Sequence, residues 1–434
     1  MYLNNQTNIY ELKKNDSFVE LDNLNIFPHV LVLTEHLENK FNQIVKKKKI
    51  DNELSIVKNE IDKYYKNEWD IVKKITNPFE MIYLTNKQHK MYSLSLYEPI
   101  SRSYFKMIEM MNTFFYNLKT AKKLKTLHLA EGPGGFIEGM INFRNDYVEN
   151  KNKKDSLYGI TLISNDSNIP GWNKNNKFLN KQTNVNLLTG VDNKGDLYNI
   201  HNHLYLIDKF KKHSIDFITG DGGFDFSNDY NLQEENALKL IYSQIILTLS
   251  LLKKNGSFIC KLFDTYNELT KEVLFILFLR FEKVIIYKPF TSRLANSERY
   301  IICKNYNPIS VSQIFELLNV LNLWNKIDKL NEINNFKKIK IKKIFNIQKD
   351  SLLDHQYNHF KNQIETINKI FEKKQIQNIK KTINIIKYRP RYKWYKTQSN
   401  IQIKTAAAWC KKFNVPYRTF IHNLNYKYLY DLRF

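Results

Sequence analysis

One stretch, Thr126-Leu-His-Leu-Ala-Glu-Gly-Pro-Gly-Gly-Phe-Ile-Glu-Gly139, narrows the possible folds more than any other. Leu127 and Leu129 alternate as strand residues do, and Phe136, Ile137, Met140 and Ile141 give the next segment an apolar helical face. Between them Gly132, Gly134 and Gly135 let backbone approach a ligand without a Cβ in the way. The pattern predicts strand, tight turn, helix, the first β-α turn of a nucleotide-type α/β fold. A glycine-rich turn is by itself also consistent with a plain tight turn, so the rest of the chain has to decide.

Downstream the same alternation recurs. Leu157 to Ile163 reads as a strand, and the polar stretch through Gly171-Trp172 to Gly195-Asp196 as a loop long enough to be functional. Ser214 to Thr219 reads as a strand ending in Gly220-Asp221-Gly222-Gly223, which puts Asp221 beside the ligand crevice of an open α/β sheet. A helix over Leu238 to Leu252 leads to a strand, Ser257 to Phe263, whose apolar run is broken by Lys261; a lysine in a central strand needs a polar pocket to end in. A helix over Leu274 to Phe281 precedes strands at Val284 to Tyr287 and Ser297 to Cys303, with Glu298 at the mouth of the second. Strands alternating with helices from 126 to 304 imply an α/β domain, residues 91–308, with a mostly parallel Rossmann-like sheet covered on both faces.

The flanks read as helical. In residues 1–90 a basic run, Ile44 to Lys49, precedes an amphipathic helix over Asn52 to Lys74 closed by Asn77-Pro78, a packing or docking appendage. Ser101 to Leu124 is a further helical pattern and carries Lys106. Residues 309–434 continue with expected helices at Val311 to Trp324, Ile339 to Ile347 and Ile364 to Ile386. There Lys387, Arg389, Arg391 and Lys393 are interleaved with Tyr388, Tyr392, Trp394 and Tyr395, a mixture of cations and stacking faces that suits single-stranded nucleic acid. A basic helical cap whose aromatics pack inward fits the same residues equally well.

The net charge of +24 favours a polyanionic partner, nucleic acid first. No run approaches the roughly 20 apolar residues of a membrane span, and the start lacks the pattern of a signal peptide. Cys260, Cys303 and Cys410 form no metal-type cluster, and nothing else suggests a catalytic metal. The expectation is an intracellular protein, cytoplasmic rather than nuclear.

Lys106, Asp221, Lys261 and Glu298 stand on four elements that should meet at one edge of the sheet. At these positions the chain resembles the FtsJ-like RNA 2′-O-methyltransferases, and within them the cap-specific mRNA branch. Ser103-Tyr-Phe-Lys106 resembles the family's first lysine segment, Leu129 to Phe136 its S-adenosylmethionine loop, and Gly220 to Phe224 its aspartate motif. Phe258 to Asp264 resembles the second lysine segment, and Lys288-Pro-Phe-Thr-Ser-Arg-Leu-Ala-Asn-Ser-Glu-Arg-Tyr300, the most specific of the set, the closing glutamate segment. The lysine-rich, AT-rich flavour resembles the version carried by large DNA viruses that transcribe in the cytoplasm, whose products lie in virions or viral factories.

The resemblance implies catalytic roles for Lys106, Asp221, Lys261 and Glu298. It implies cofactor contacts at Glu131, Gly132, Pro133, Gly134, Gly135, Phe136, Asp196 and Asp221, and a capped mRNA 5′ end as substrate. RNA contacts are expected at Arg293, Lys387, Arg389, Arg391, Lys393 and Trp394, with Trp172 and Tyr392 as further stacking candidates; packing explains Trp172, Tyr392 and Trp394 equally well. The chemistry asks for the same residue types: a ribose hydroxyl is a poor nucleophile, so methyl transfer needs a base and orientation. Lysine, with a free pKa of roughly 10.4, becomes a base when a neighbouring cation and burial lower it. Lys261 is assigned as base or steering group, Asp221 as its holder, Lys106 as the group orienting the ribose, and Glu298 as the anchor of a lysine. One departure from the family stands in the first strand, where His128 replaces a frequent acid. Ribosomal or transfer RNA as substrate, or a non-catalytic RNA scaffold, are the competing readings. A dinucleotide oxidoreductase is disfavoured because Glu-Gly-Pro-Gly-Gly lacks that fingerprint's spaced glycines.

Overall fold

The computed structural model describes residues 8–14, 26–34, 53–84, 93–145, 154–166, 169–172, 176–223, 232–333 and 337–419. The Ile44–Lys49 run and Phe224 lie outside them, as does the side chain of Tyr392. The strands are β1 (Ile9–Leu12), β2 (Ile26–Thr34), β3 (Lys125–Leu129), β4 (Ser156–Ile160), β5 (Val185–Leu188), β6 (Ile215–Gly220), β7 (Leu252–Leu262), β8 (Phe281–Tyr287), β9 (Arg299–Tyr306) and β10 (Lys337–Phe345). The longer helices are α1 (Glu53–Ile61), α2 (Lys66–Ile75), α3 (Ser103–Phe114), α4 (Gly135–Asn145), α5 (Ile200–Phe210), α6 (Gln233–Leu251), α7 (Glu268–Arg280), α8 (Val311–Ile333), α9 (Leu352–Tyr388) and α10 (Tyr392–Lys412).

Eight strands form one sheet in the order β1-β8-β9-β7-β6-β3-β4-β5. From β5 to β7 every pairing is parallel, whereas β9 runs antiparallel to both β7 and β8. The chain leaves β3 towards β4 and β5, then crosses back to β6 on the other side. That reversal opens a crevice at the carboxyl ends of β3 and β6, where open α/β sheets bind ligands.

Alternation along the strands feeds two cores. Ile218, Phe258, Cys260 and Ile301 point into a core shared with α5 to α9, while Phe217, Ile259, Tyr300 and Ile302 point into one shared with α3, α4 and α10. The strands are therefore buried on both faces, as parallel sheets require. A third cluster joins α1 and α2 to the second half of α9 through Leu54, Val57, Trp69, Ile379 and Ile383.

The flanks correct several sequence expectations. β1 extends the main sheet by pairing with β8, giving that outer strand a hydrogen-bonding partner, so the first 90 residues are not wholly helical. The expected single helix over Asn52 to Lys74 is two, broken at 62–65, with Tyr65 exposed to solvent. Ile339 to Ile347, expected as helix, falls largely in β10, paired with β2; its Lys-Ile-Lys-Ile alternation has the period of a strand, not of a helix.

The lower end of α4 is fixed by a buried ion pair, Arg144 to Asp155, with nitrogen–oxygen distances of 2.6 and 3.0 Å. Asp155→Ala leaves the guanidinium buried without its counter-charge and is expected to cost about 3–5 kcal/mol, read from urea unfolding. A loss below about 1 kcal/mol would show that the pair does not hold α4.

Candidate active site

The carboxyl ends of β3, β6 and β7 open onto a cavity of about 910 Å³. Ala130, Gly132, Pro133, Asp196, Tyr198, Asp221, Lys261 and Glu298 line it, with Ser101, Arg102 and Ser103 from the start of α3. Because β9 is antiparallel, its first residues lie at this same edge; Arg299 faces Leu262 and Tyr300 faces Lys261.

Two charge pairs meet there. Lys261 donates from Nζ to the Asp221 carbonyl at 2.7 Å and lies 3.4 Å from Asp221 Oδ1. Tyr300 Oη donates to that same Oδ1 at 2.9 Å. Lys106 Nζ sits 2.7 and 2.8 Å from the two oxygens of Glu298, and Ser292 Oγ donates to Glu298 Oε1 at 2.8 Å. Burial alone would raise the Glu298 carboxyl, but the charges of Lys106 and Lys261 outweigh it and hold the group at about 2. The four titratable residues singled out from the sequence are thus brought together.

The glycine turn works by close approach. A Cβ on Gly132 would lie 2.1 Å from the Pro170 carbonyl, and one on Gly135 would lie 2.1 Å from Ser103 Oγ, so α4 could not seat against α3. Gly134 takes φ +111 and lies over Leu179 and Trp172. Glu131, expected to face the ligand, accepts from the backbone N–H groups of Phe136 and Ile137 at 2.6 and 3.2 Å and so caps α4. Its other oxygen is buried with no partner among the described residues. Burial, then the charge of Asp221, pushes this carboxyl well above the usual range. Phe136 is fully buried beneath the turn, 6.0 Å from the Tyr300 ring. Asp196 lines the cavity in a turn where its Oδ1 accepts from Tyr198 N, next to Gly195 at φ +66. His128 is buried between Thr126 and Thr219, and burial holds it at about 3, hence uncharged.

The expected RNA contacts are more scattered. Arg293 makes a two-pronged bond to Glu80 at 2.7 and 3.1 Å; Arg102 reaches Glu80 as well. Lys387, Arg389, Arg391 and Lys393 are exposed around the corner between α9 and α10, and none of them lines this cavity. Trp394 is half-buried, edge-on to Tyr395. Trp172 is corrected: its ring is buried under the glycine turn against Gly159, packed in the core and not presented for stacking.

Sequence reasoning missed what steadies the quartet. Glu109 on α3 accepts from Tyr287 Oη, Phe290 N, Thr291 N and Trp409 Nε1, tying the loop after β8 to α3 and α10. Lys288 donates to Asn296 O, Asn296 Oδ1 and Glu298 O at 2.7, 2.9 and 2.7 Å. Tyr300 was legible in principle, since it lies two residues after Glu298 and strand alternation returns it to the same face.

The family model described as FtsJ-like methyltransferase matches residues 99–306. The chain is 36% identical over 123 residues to cap-specific mRNA (nucleoside-2′-O-)-methyltransferase 1 of Danio rerio, which covers 27% of this chain and 15% of that protein. It is 26% identical over 287 residues to cap-specific mRNA (nucleoside-2′-O-)-methyltransferase 2 of Drosophila melanogaster, covering 62% of this chain and 38% of that protein. These matches span well under half the length of either relative. A solved ribosomal RNA methyltransferase from Plasmodium falciparum aligns over 48% of this chain and 99% of its own at 20% identity, with a TM-score of 0.34, too low to carry an argument.

The Glu298 carboxyl, folded near 2 against an ordinary 4.5, stabilises the fold above pH 4.5 and loses that contribution as pH falls towards 2. The loss is roughly 3 kcal/mol at most, from about 1.4 kcal/mol per pH unit. Glu298→Gln is expected to be less stable at pH 7 and to show a shallower fall over that window in urea unfolding. Parallel pH curves for the two proteins would contradict the pairing.

Proposed function

We propose, from the match of residues 99–306 to the FtsJ-like methyltransferase model, that the chain methylates a ribose 2′-oxygen among the first transcribed nucleotides of capped mRNA, using S-adenosylmethionine. The observation that carries this is the meeting of the pairs Lys261–Asp221 and Lys106–Glu298 at the switch point of the sheet, beside one cavity that Asp221, Lys261 and Glu298 line. When bound, the cofactor supplies an electrophilic methyl group on a positively charged sulfur. The donor set fits such a group: Asp196 and Asp221 offer carboxylates to its ammonium and ribose hydroxyls, and the Gly132-Pro133 backbone forms a wall where Gly132 has no room for a side chain.

Lys261 is the residue we assign to the 2′-hydroxyl, steering its lone pair towards the methyl group, with its ammonium fixed by the carbonyl and carboxylate of Asp221. Tyr300 holds Asp221 in that position, a positioning role. Lys106, held by both oxygens of Glu298, orients the ribose. Beside the large cavity lies a smaller one of about 130 Å³, walled by Trp69, Lys58, Lys73 and Arg293 and sharing Gln233 and Asn296 with its neighbour. The exposed cations Lys387, Arg389, Arg391 and Lys393 would meet phosphates further along an intracellular transcript.

The test is transfer of labelled methyl groups to short RNAs bearing a methylated cap, an unmethylated cap or a bare triphosphate. Preference for a capped RNA is the expected result; preference for ribosomal or transfer RNA would replace the substrate. Lys261→Ala is expected to lower transfer by about 10²–10⁴-fold while calorimetry shows cofactor binding unchanged. Loss of cofactor binding in that variant would mean that Lys261 holds the fold and not the reaction.

A further inference from the structure

A turn made of Gly195, Asp196, Leu197 and Tyr198 lines the large cavity, and the three carbonyls after Gly195 are each held by a side chain. The carbonyl of Asp196 accepts from Asn202 Nδ2 at 2.8 Å, and that of Leu197 from His203 Nε2 at 2.8 Å and from Ser243 Oγ. The carbonyl of Tyr198 accepts from Asn325 Nδ2 at 2.8 Å. A carbonyl oxygen only accepts, so each contact settles which atom of its partner carries the hydrogen. The N–H of Tyr198 donates to Asp196 Oδ1 at 2.8 Å and so sets the rotation of that carboxylate. Asp196 Oδ2 has no hydrogen-bond partner among the described residues.

Asn202, His203 and Ser243 belong to α5 and α6, inside the matched segment 99–306; Asn325 belongs to α8, which begins at Val311, beyond it. The same helix reaches the turn a second time. Asp328, three residues on and so on the same face as Asn325, pairs with Lys239 of α6, whose Nζ stands 4.5 Å from the centre of the Tyr198 ring. α8 is itself seated on α6 through Tyr242, which donates to the Leu317 carbonyl at 3.0 Å and lies against Trp324. Resting on the function proposed above, we propose that Asn325 is a positioning residue for S-adenosylmethionine: it fixes Tyr198 and, through the Tyr198 N–H, the Asp196 carboxylate that meets the cofactor. α8 thereby belongs to the cofactor site although none of its residues lines the cavity.

Asn325→Leu tests it, because it removes the donor at nearly the same volume. Affinity for S-adenosylmethionine and for S-adenosylhomocysteine is measured by calorimetry on the full chain as wild type, Asn325→Leu, Asp196→Ala and the double variant, with anisotropy of a fluorescent capped RNA alongside. The brace predicts about tenfold weaker binding of both ligands in Asn325→Leu, and no further loss beyond about twofold when Asn325→Leu is added to Asp196→Ala. RNA affinity is expected to stay within about twofold of wild type. Should the leucine variant fold poorly, Asn325→Asp, which sets a carboxylate against the Tyr198 carbonyl, is read in the same way. Wild-type cofactor affinity in the Asn325 variant or in Asp196→Ala would overturn the proposal. So would an equal loss in both backgrounds, since Asn325 would then act elsewhere than through Asp196, and so would a parallel loss of RNA affinity, the mark of a generally loosened fold. If wild type itself binds no S-adenosylmethionine, the functional reading fails first and the brace falls with it, an outcome distinct from equal binding by wild type and variants.

Discussion

The direction of β9 is the constraint on which the site depends. β3, β6 and β7 are parallel and deliver Ala130, Asp221 and Lys261 to one edge, as any doubly wound sheet would. Glu298 precedes the first residue of β9, and only because that strand is reversed does its beginning fall beside the ends of the others. Run in the parallel sense, eight residues at about 3.3 Å each would place Glu298 some 25 Å away, at the opposite edge. Lys106 would then lose the carboxylate that fixes it, and the quartet would be two unrelated pairs.

The reversal puts a loop, residues 288–298, next to the chemistry, and the structure spends several buried polar groups in holding that loop still. Glu109 binds it from below through Phe290 and Thr291, Glu80 grips Arg293, and Lys288 closes its two ends on each other. Just behind it Arg299 pairs with Asp264, which also pairs with Lys58 of α1, and donates to Asn368 of α9. Removing one member of such a cluster strands another charge in a low-dielectric interior, so these contacts act as a unit. Through them the N- and C-terminal flanks wall the smaller cavity: α1 and α2 contribute Lys58 and Trp69, and α9 contributes Gln375.

The α/β core was legible because its signals are local. The Thr126–Gly139 strand-turn-helix, the Asp221 turn and Lys261 within an apolar strand each announce themselves within a dozen residues, and all three fall where the alternation puts them. What escaped sequence reading depends on contacts between distant segments. Glu131 also caps α4 through one of its oxygens, a role its place in the glycine motif does not announce. Trp172 looked like a stacking face, yet the bare backbone of Gly134 and Gly159 makes a socket for it. β1 has too few residues to signal a strand and exists because β8 offers an unpaired edge. β10 was the avoidable error, since its lysine-isoleucine alternation carries the period of a strand. The anchoring roles of Glu109 and Lys288 need the loop and α3 in the same frame, which no local pattern supplies.

The central claim is that this quartet acts on a ribose hydroxyl, and the position of the transferred methyl group tests it most directly. Nuclease digestion and mass spectrometry of a methylated capped RNA would locate it. The expected product carries a single added methyl on the 2′-oxygen of a nucleotide next to the cap, absent from RNA treated with the Lys261→Ala protein. A methyl group on a base nitrogen or carbon, or one still added by that variant, would contradict it.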